Sequence, residues 1–289
     1  MSSLIVNADD FGLTSGVNRA IVELHQAGVL TSTTLMAKAA ATAEAIALAR
    51  ANPSLGVGCH LVLVDGQPVL PPHQVPTLID SHTGFFPPRL TTFLPRLFTG
   101  RVRSDEIEAE AAAQIALLQS RGLHLTHIDT HKHTHMFPQV LRPVLRAASA
   151  ARIHAVRNPF EPEWAVRASP RATLVRSAEV FALRRFGPYF RRILTEEGFR
   201  TTDGTIAVAA TGVVNTDTVR ALLQQLPQGI WELVTHPGYN DADLDKVRTR
   251  LRASREIERD ALRAVKEFPV VDLISFENLN PARTTSRIV

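Results

Sequence analysis

LIVNADDFGLTSGVNRAIVELHQAGVLTSTTLMA, residues 4–37, passes from an apolar run through two adjacent acids into a helical pattern and on to a second apolar run. LIVNA (4–8) and STTLMA (32–37) have the composition of buried strands. Between them SGVNRAIVELHQAG puts Val17, Ala20, Ile21 and Leu24 on one helical face and stops at Gly28, with Thr14 and Ser15 placed to cap its start. Strand, helix, strand is the unit of a parallel sheet.

The same rhythm continues outward. LGVGCHLVL (55–63), HLTHIDT (124–130), RIHAVR (152–157), TIAVAA (205–210), WELVTH (231–236) and VVDLISF (270–276) bring the strand candidates to eight. SDEIEAEAAAQIALLQSRG predicts a helix capped by Ser104, with Ile107, Ala111, Ile115 and Leu118 as its buried stripe. Residues 243–268 predict one long amphipathic helix. The expected fold is therefore α/β, an irregular (β/α) barrel of seven or eight strands forming a single domain over residues 1–280, with a flexible tail over 281–289. Six prolines (Pro68, Pro71, Pro72, Pro76, Pro87 and Pro88) mark residues 64–90 as a long loop, and a loop of that length in a compact domain is usually functional.

Adjacent carboxylates such as Asp9 and Asp10 repel unless a cation sits beside them. Five of the eleven histidines fall within HLTHIDTHKHTH (124–135). His127, Asp129, His131, His133 and His135 share one parity, so an extended chain sends them to one side, as in a metal site with supporting neighbours. His60 and His236 also stand at predicted strand ends, as do Asp9, Asp10 and Arg157. A barrel gathers such ends on one face. Cys59 is expected in the core, and His25, His73, His82, His124 and His154 are left as ordinary histidines.

In these stretches, VNADDFGL, GVLTSTTLM, VGCHLVLV, THIDTHKHTHMFP and VTHPGY, spread from residue 6 to about 240, the chain resembles the YdjC-like carbohydrate deacetylases. The resemblance implies an irregular β/α barrel that removes acetate from N-acetylated sugars with one divalent metal. It implies that Asp10, His60 and His131 hold the metal, that Asp9 is the base and that His236 is the acid. HLVLVDGQPVLPP is similar to the hopanoid-pathway branch, and WELVTHPGYNDADL to the sugar-oligomer branch.

The chemistry of the residues is consistent with that reaction. A divalent metal lowers the pKa of water from about 15.7 to about 7, and a departing amine needs a proton, which a histidine can give near neutral pH. Arg157 would keep Asp9 ionised, with His127, Asp129 and His133 in support or in the substrate pocket. Magnesium or zinc is the expected ion, and cobalt, nickel, manganese and iron also suit His and Asp donors. A metal-dependent phosphoesterase and a non-haem iron enzyme are the alternative readings of the same residues.

Net charge is +4, and between Trp164 and Arg200 eight arginines, interleaved with Phe181, Phe186, Tyr189 and Phe190, face three acids. A solvated helical face is the default reading of such a run, and peripheral membrane contact the alternative. A single cysteine excludes an intrachain disulfide, and neither a secretory signal nor a membrane-spanning stretch is evident. The protein is thus expected to be soluble and cytoplasmic, to form a homodimer, to take an N-acetylated saccharide or glycolipid such as a glycosylated hopanoid as substrate, and not to bind nucleic acid.

Overall fold

β1 (Ser2–Phe11) is the central strand of the sheet in the computed structural model, which describes residues 2–169, 181, 183–268 and 271–279. All but its first two residues are buried, which fits a parallel strand covered on both faces. Along one edge it pairs with β6 (Gly229–Thr235) from Ser2 to Ala8. The other edge is shared: β7 (Asp272–Leu273) pairs at Ser3 and Leu4, and β2 (Ser32–Leu35) takes over from Asn7. β3 (Gly56–Leu61) and β4 (Ile128–Thr130) follow on the β2 side, and β5 (Gly204–Ile206) lies beyond β6, giving the order β4-β3-β2-β1-β6-β5. All pairings are parallel. Single bridges from Ile128 to Val156 and from Ala155 to Arg200 carry the curl from β4 back toward β5. The outcome is one α/β domain with a curled, barrel-like parallel sheet, as the alternating pattern predicts.

Helix α1 (Ser15–Gln26) starts where its cap demands, since the Thr14 hydroxyl accepts a hydrogen bond from Val17 N at 3.2 Å, and its predicted apolar face is buried. Helix α2 (Ser104–Ser120) buries the expected stripe. Ser104 is nevertheless its first helical residue rather than its cap, and its hydroxyl accepts from Arg146 instead. The run RIHAVR supplies only bridges. TIAVAA is extended only to Ile206, because Ala207 turns to a φ of 73° and the Glu161 carboxylate takes the N–H groups of Ala207 and Ala209 at 2.7 and 2.6 Å. The long helix expected over 243–268 is broken into Ala242–Asp245, Ala253–Ala261 and a 3-10 turn, Leu262–Glu267. At the break Arg252 has a non-helical backbone and its guanidinium holds Asp245.

The proline-rich segment is bolted down at its root. Glu110 on α2, fully buried, accepts from Val69 N at 2.7 Å and Leu70 N at 3.0 Å, while Glu106 takes Thr77 N at 2.8 Å. Val75, Leu78, Ile79 and Phe86 pack inward. Of the basic-aromatic stretch, residues 170–180 and 182 lie outside the described residues. In what is described, Phe190 is buried, Phe181 and Tyr189 are exposed, and Arg192 pairs with Glu196. The expected tail also lies outside the described residues, and no described helix is long and apolar enough to cross a membrane.

Glu110→Ala would leave two half-buried N–H groups and the buried Gln114 amide without their acceptor, so a loss of about 2–4 kcal/mol is expected in denaturant unfolding. Faster limited proteolysis within residues 64–90 should accompany it. Unchanged cleavage would mean that the loop is held by its apolar contacts alone.

Candidate metal centre

Two neighbours on a strand face opposite sides, yet the Asp9 and Asp10 side chains meet the same cluster. The reason is an irregularity in β1: its register against β2 shifts between Ala8 and Phe11, and Asp10 takes a φ of 67°. An aspartate tolerates this left-handed conformation better than most residues, and the bulge turns the second acid inward beside the first. Gly12, at a φ of 95°, completes the turn, with Leu13 N donating to Asp10 O at 3.0 Å.

Asp10 Oδ1 lies 3.7 Å from His60 Nε2 and 3.7 Å from His131 Nδ1, and the two nitrogens are 3.2 Å apart. Donors bound about 2.0–2.2 Å from one ion stand about 3.0–3.5 Å apart, so these three atoms need to move only slightly to close on a divalent cation. His60, on β3, donates its Nδ1–H to the Asp129 carboxylate at 2.8 and 2.9 Å, which leaves Nε2 as the donor atom. His131 follows β4 directly, and its loop turns back through Lys132 and His133, both left-handed at φ 57° and 53°. The group is buried apart from a partly exposed His131, so the donor set and its surroundings fit one metal ion.

Arg157 organises the floor. Fully buried, it donates to both oxygens of Asp9 (2.6 and 2.9 Å), to Asp129 and to Glu232 (2.8 Å). A second potential donor trio, Asp9, His60 and Asp129, is therefore already served by a guanidinium. Asn7 Nδ2 and the Thr34 hydroxyl also donate to Asp9 Oδ1, at 3.1 and 3.2 Å. His236, just after β6, brings Nε2 to 3.7 Å from Asp9 Oδ2, and its backbone N donates to Glu258 at 3.0 Å. Arg255 donates to Asp10 Oδ2 at 2.6 Å.

Protonation follows from these contacts. Burial works against the Asp9 and Asp10 charges, but Arg157 for Asp9 and Arg255 for Asp10, with the nearby histidines, hold both carboxyls well below the usual range. Burial likewise disfavours a charged His60, yet Asp129, then Asp9 and Asp10, raise it to about 9. His131 is lowered to about 4 by burial despite Asp10, and burial also lowers His236 against the pull of Asp9 and Asp10. Glu232 is raised to about 7 by burial, opposed by Arg157.

The remaining histidines do not gather at one point, because the strand ends at Thr130 and parity stops counting there. His127 lies deeper in the barrel, stacked on Phe276 at 3.8 Å and filling the space a side chain at Gly58 would need. His135 is committed to Thr130 Oγ1 (2.7 Å) and Arg157 O (3.1 Å). His133 leaves a buried Nδ1 without a hydrogen-bond partner among the described residues. Cys59 points into the core as expected. Sequence reasoning missed Thr34, Glu232, Arg255 and Glu258. Glu232 was accessible to it, since it stands at alternate spacing with His236 in an apolar strand. Arg255 gave no signal beyond its place in an amphipathic helix.

A curled parallel α/β barrel with a buried Asp-His-His donor set at its strand ends defines the class of protein. The YdjC-like protein family profile matches residues 3–267, and the chain belongs to that family. It is 30% identical to a carbohydrate deacetylase of Thermoanaerobacter pseudethanolicus over 262 residues, 91% of each chain. A carbohydrate deacetylase of Brevibacillus brevis is 44% identical over 159 residues, which span 54% of this chain and 59% of that protein. The crystal structure of an Enterococcus faecalis V583 protein, described as a candidate cellobiose-phosphate cleavage protein, superposes with a TM-score of 0.76 at 26% identity, covering 96% of this chain and 98% of that one.

With His60 protonated up to about pH 9, a metal must displace its Nε2 proton, whereas His131 is neutral above about pH 4. Affinity should then rise about tenfold per pH unit from pH 6 toward pH 9, with about one proton released per ion at pH 7. Calorimetric titration in buffers of differing ionisation heat measures both. A buffer-independent heat would sink this assignment.

Proposed function

We propose that the protein is a metal-dependent hydrolase that removes acetyl groups from N-acetylated sugars. The observation that carries this reading is the pairing of one Asp-His-His donor set with the adjacent Asp9–His236 couple at the same strand ends. Carbohydrate deacetylase relatives, one matched along most of its length, point to the same reaction. Asp10, His60 and His131 would hold the ion, which supplies Lewis-acid polarisation of the acetamide carbonyl and a more acidic water.

The chain's own residues divide the proton chemistry. Asp9 is the base, kept ionised and fixed in direction by the two-pronged Arg157 contact. Held so far below the usual carboxylate range, it is a weak resting place for a proton. His236, neutral at pH 7 and facing Asp9 Oδ2, can take that proton and then deliver it to the departing sugar nitrogen as the acid. Asp129 fixes the His60 tautomer, and Glu258 fixes the His236 backbone. His133, with an unpartnered nitrogen beside this group, is the candidate for contact with substrate. His127, stacked in the floor, supports the barrel.

The substrate class is an N-acetylglucosamine-containing saccharide, a sugar oligomer or the head of a glycolipid such as a glycosylated hopanoid. A phosphoesterase relying on two ions is less favoured, because Arg157 occupies the space between Asp9 and Asp129.

Acetate release from a panel running from N,N'-diacetylchitobiose to an N-acetylated glycolipid should be abolished by chelation and restored by zinc or magnesium. Asp9→Asn should retain the metal while kcat falls by about 10²–10⁴-fold, and His131→Ala should lose the metal. Full turnover by the Asp9→Asn protein would remove Asp9 from its role, and metal-loaded enzyme inert on every panel member would remove the reaction.

A further inference from the structure

Asp10 has two oxygens with separate partners. Oδ1 faces His60 and His131, and Oδ2 receives the Arg255 guanidinium at 2.6 Å. We infer that Arg255 is the positioning residue of this centre: by occupying Oδ2 it makes Asp10 a one-oxygen ligand and keeps the remaining coordination positions open. The inference rests on the proposed metal-binding role of Asp10, His60 and His131.

Three observations carry it. The contact is exclusive in direction, because Arg255 is itself pinned. Its Nε donates to Leu251 O at 3.1 Å and its Nη1 to His236 O at 3.4 Å, and the side chain is 1% exposed. Gly238 closes over it, such that a side-chain carbon there would stand 3.0 Å from Arg255 Cδ. The guanidinium is therefore held by two backbone carbonyls at the end of a closely packed stem while it bonds Oδ2.

The second observation is the backbone of Asp10. At a φ of 67° the residue sits in a conformation that costs energy unless its surroundings hold it, and the carboxylate is the handle by which they can. Thirdly, the break in the 243–268 region starts the short helix Ala253–Ala261 where Arg255 and Glu258, one turn apart, reach Asp10 and the His236 backbone together. One helical turn thus sets both a metal-binding carboxylate and the proposed acid.

A purely charge-balancing role would be met by any buried cation. A positioning role would not, because lysine lacks the planar fork that holds Oδ2 while anchored to Leu251 and His236 carbonyls. The test is Co²⁺ titration of the full chain, following both affinity and the visible absorption that reports coordination number, for wild type, Arg255→Lys and Arg255→Ala. Circular dichroism and thermal melting run in parallel.

Arg255→Lys is expected to fold, to bind Co²⁺ about 10- to 100-fold more weakly and to show a weaker visible band as Asp10 adds a second oxygen. Arg255→Ala should exceed it on both readouts. A lysine variant with wild-type affinity and spectrum overturns the inference, even if the alanine variant does not fold. Because no substrate is present, the result does not depend on which acetylated sugar is hydrolysed. Wild-type protein that binds no Co²⁺ would overturn the metal reading itself.

Discussion

A single buried guanidinium makes the rest of the site physically tenable. Asp9, Asp129 and Glu232 reach the barrel interior from β1, β4 and β6, where three carboxylates without a cation would repel one another and face a large desolvation penalty. Arg157 bonds to all three, and the consequences spread outward. An ionised Asp129 can accept from His60 and select its tautomer. An ionised Asp9 can face His236. Glu232 carries the least negative charge of the three, since burial raises it to about 7, and it takes a further hydrogen bond from the Thr205 hydroxyl at 3.2 Å.

Around that anchor the site separates the work of two adjacent acids by backbone geometry rather than by distance in sequence. Asp9 faces Arg157, whereas Asp10, turned by the bulge, faces His60 and His131. A regular strand would have buried one of them against the helical layer outside the sheet. Each acid thus acquires its own arginine, Arg157 below and Arg255 beside, and Asp10 Oδ1 is turned toward the two imidazole nitrogens.

Much of this is legible in the sequence because parallel strands announce themselves by continuous apolar runs, and because strand ends collect on one face of a barrel. That logic found Asp9, Asp10, His60, Asp129, His131, Arg157 and His236, all of which the fold brings together. It failed where alternation was carried past the end of a strand. His133 is itself one of two left-handed residues in the 3-10 segment His131–Met136, which also holds His135, so their shared parity has no spatial meaning. His127 has the right parity but lies too deep, stacked on Phe276, and depth is not encoded by spacing. Arg255 was invisible for another reason: an amphipathic pattern reports which face of a helix is buried, but not that the helix begins late enough to aim an arginine at β1. The same limit hid the break over 246–252, which Arg252 and Asp245 bridge with a side-chain contact.

The arrangement of partners has a consequence for how the chain is made. Asp9 and Asp10 leave the ribosome well before their partners: Arg157 follows Asp9 by 148 residues and Arg255 follows Asp10 by 245. β1 must also wait for β6, nearly the whole chain later, to fill one of its edges. During synthesis β1, apolar and carrying two acids, is therefore an unclosed seam with neither counter-ion nor neighbour on that side, and long-range closure of this kind is slow. The protein depends on holding that seam in solution until those partners arrive, which leaves β1 open to aggregation in the interval.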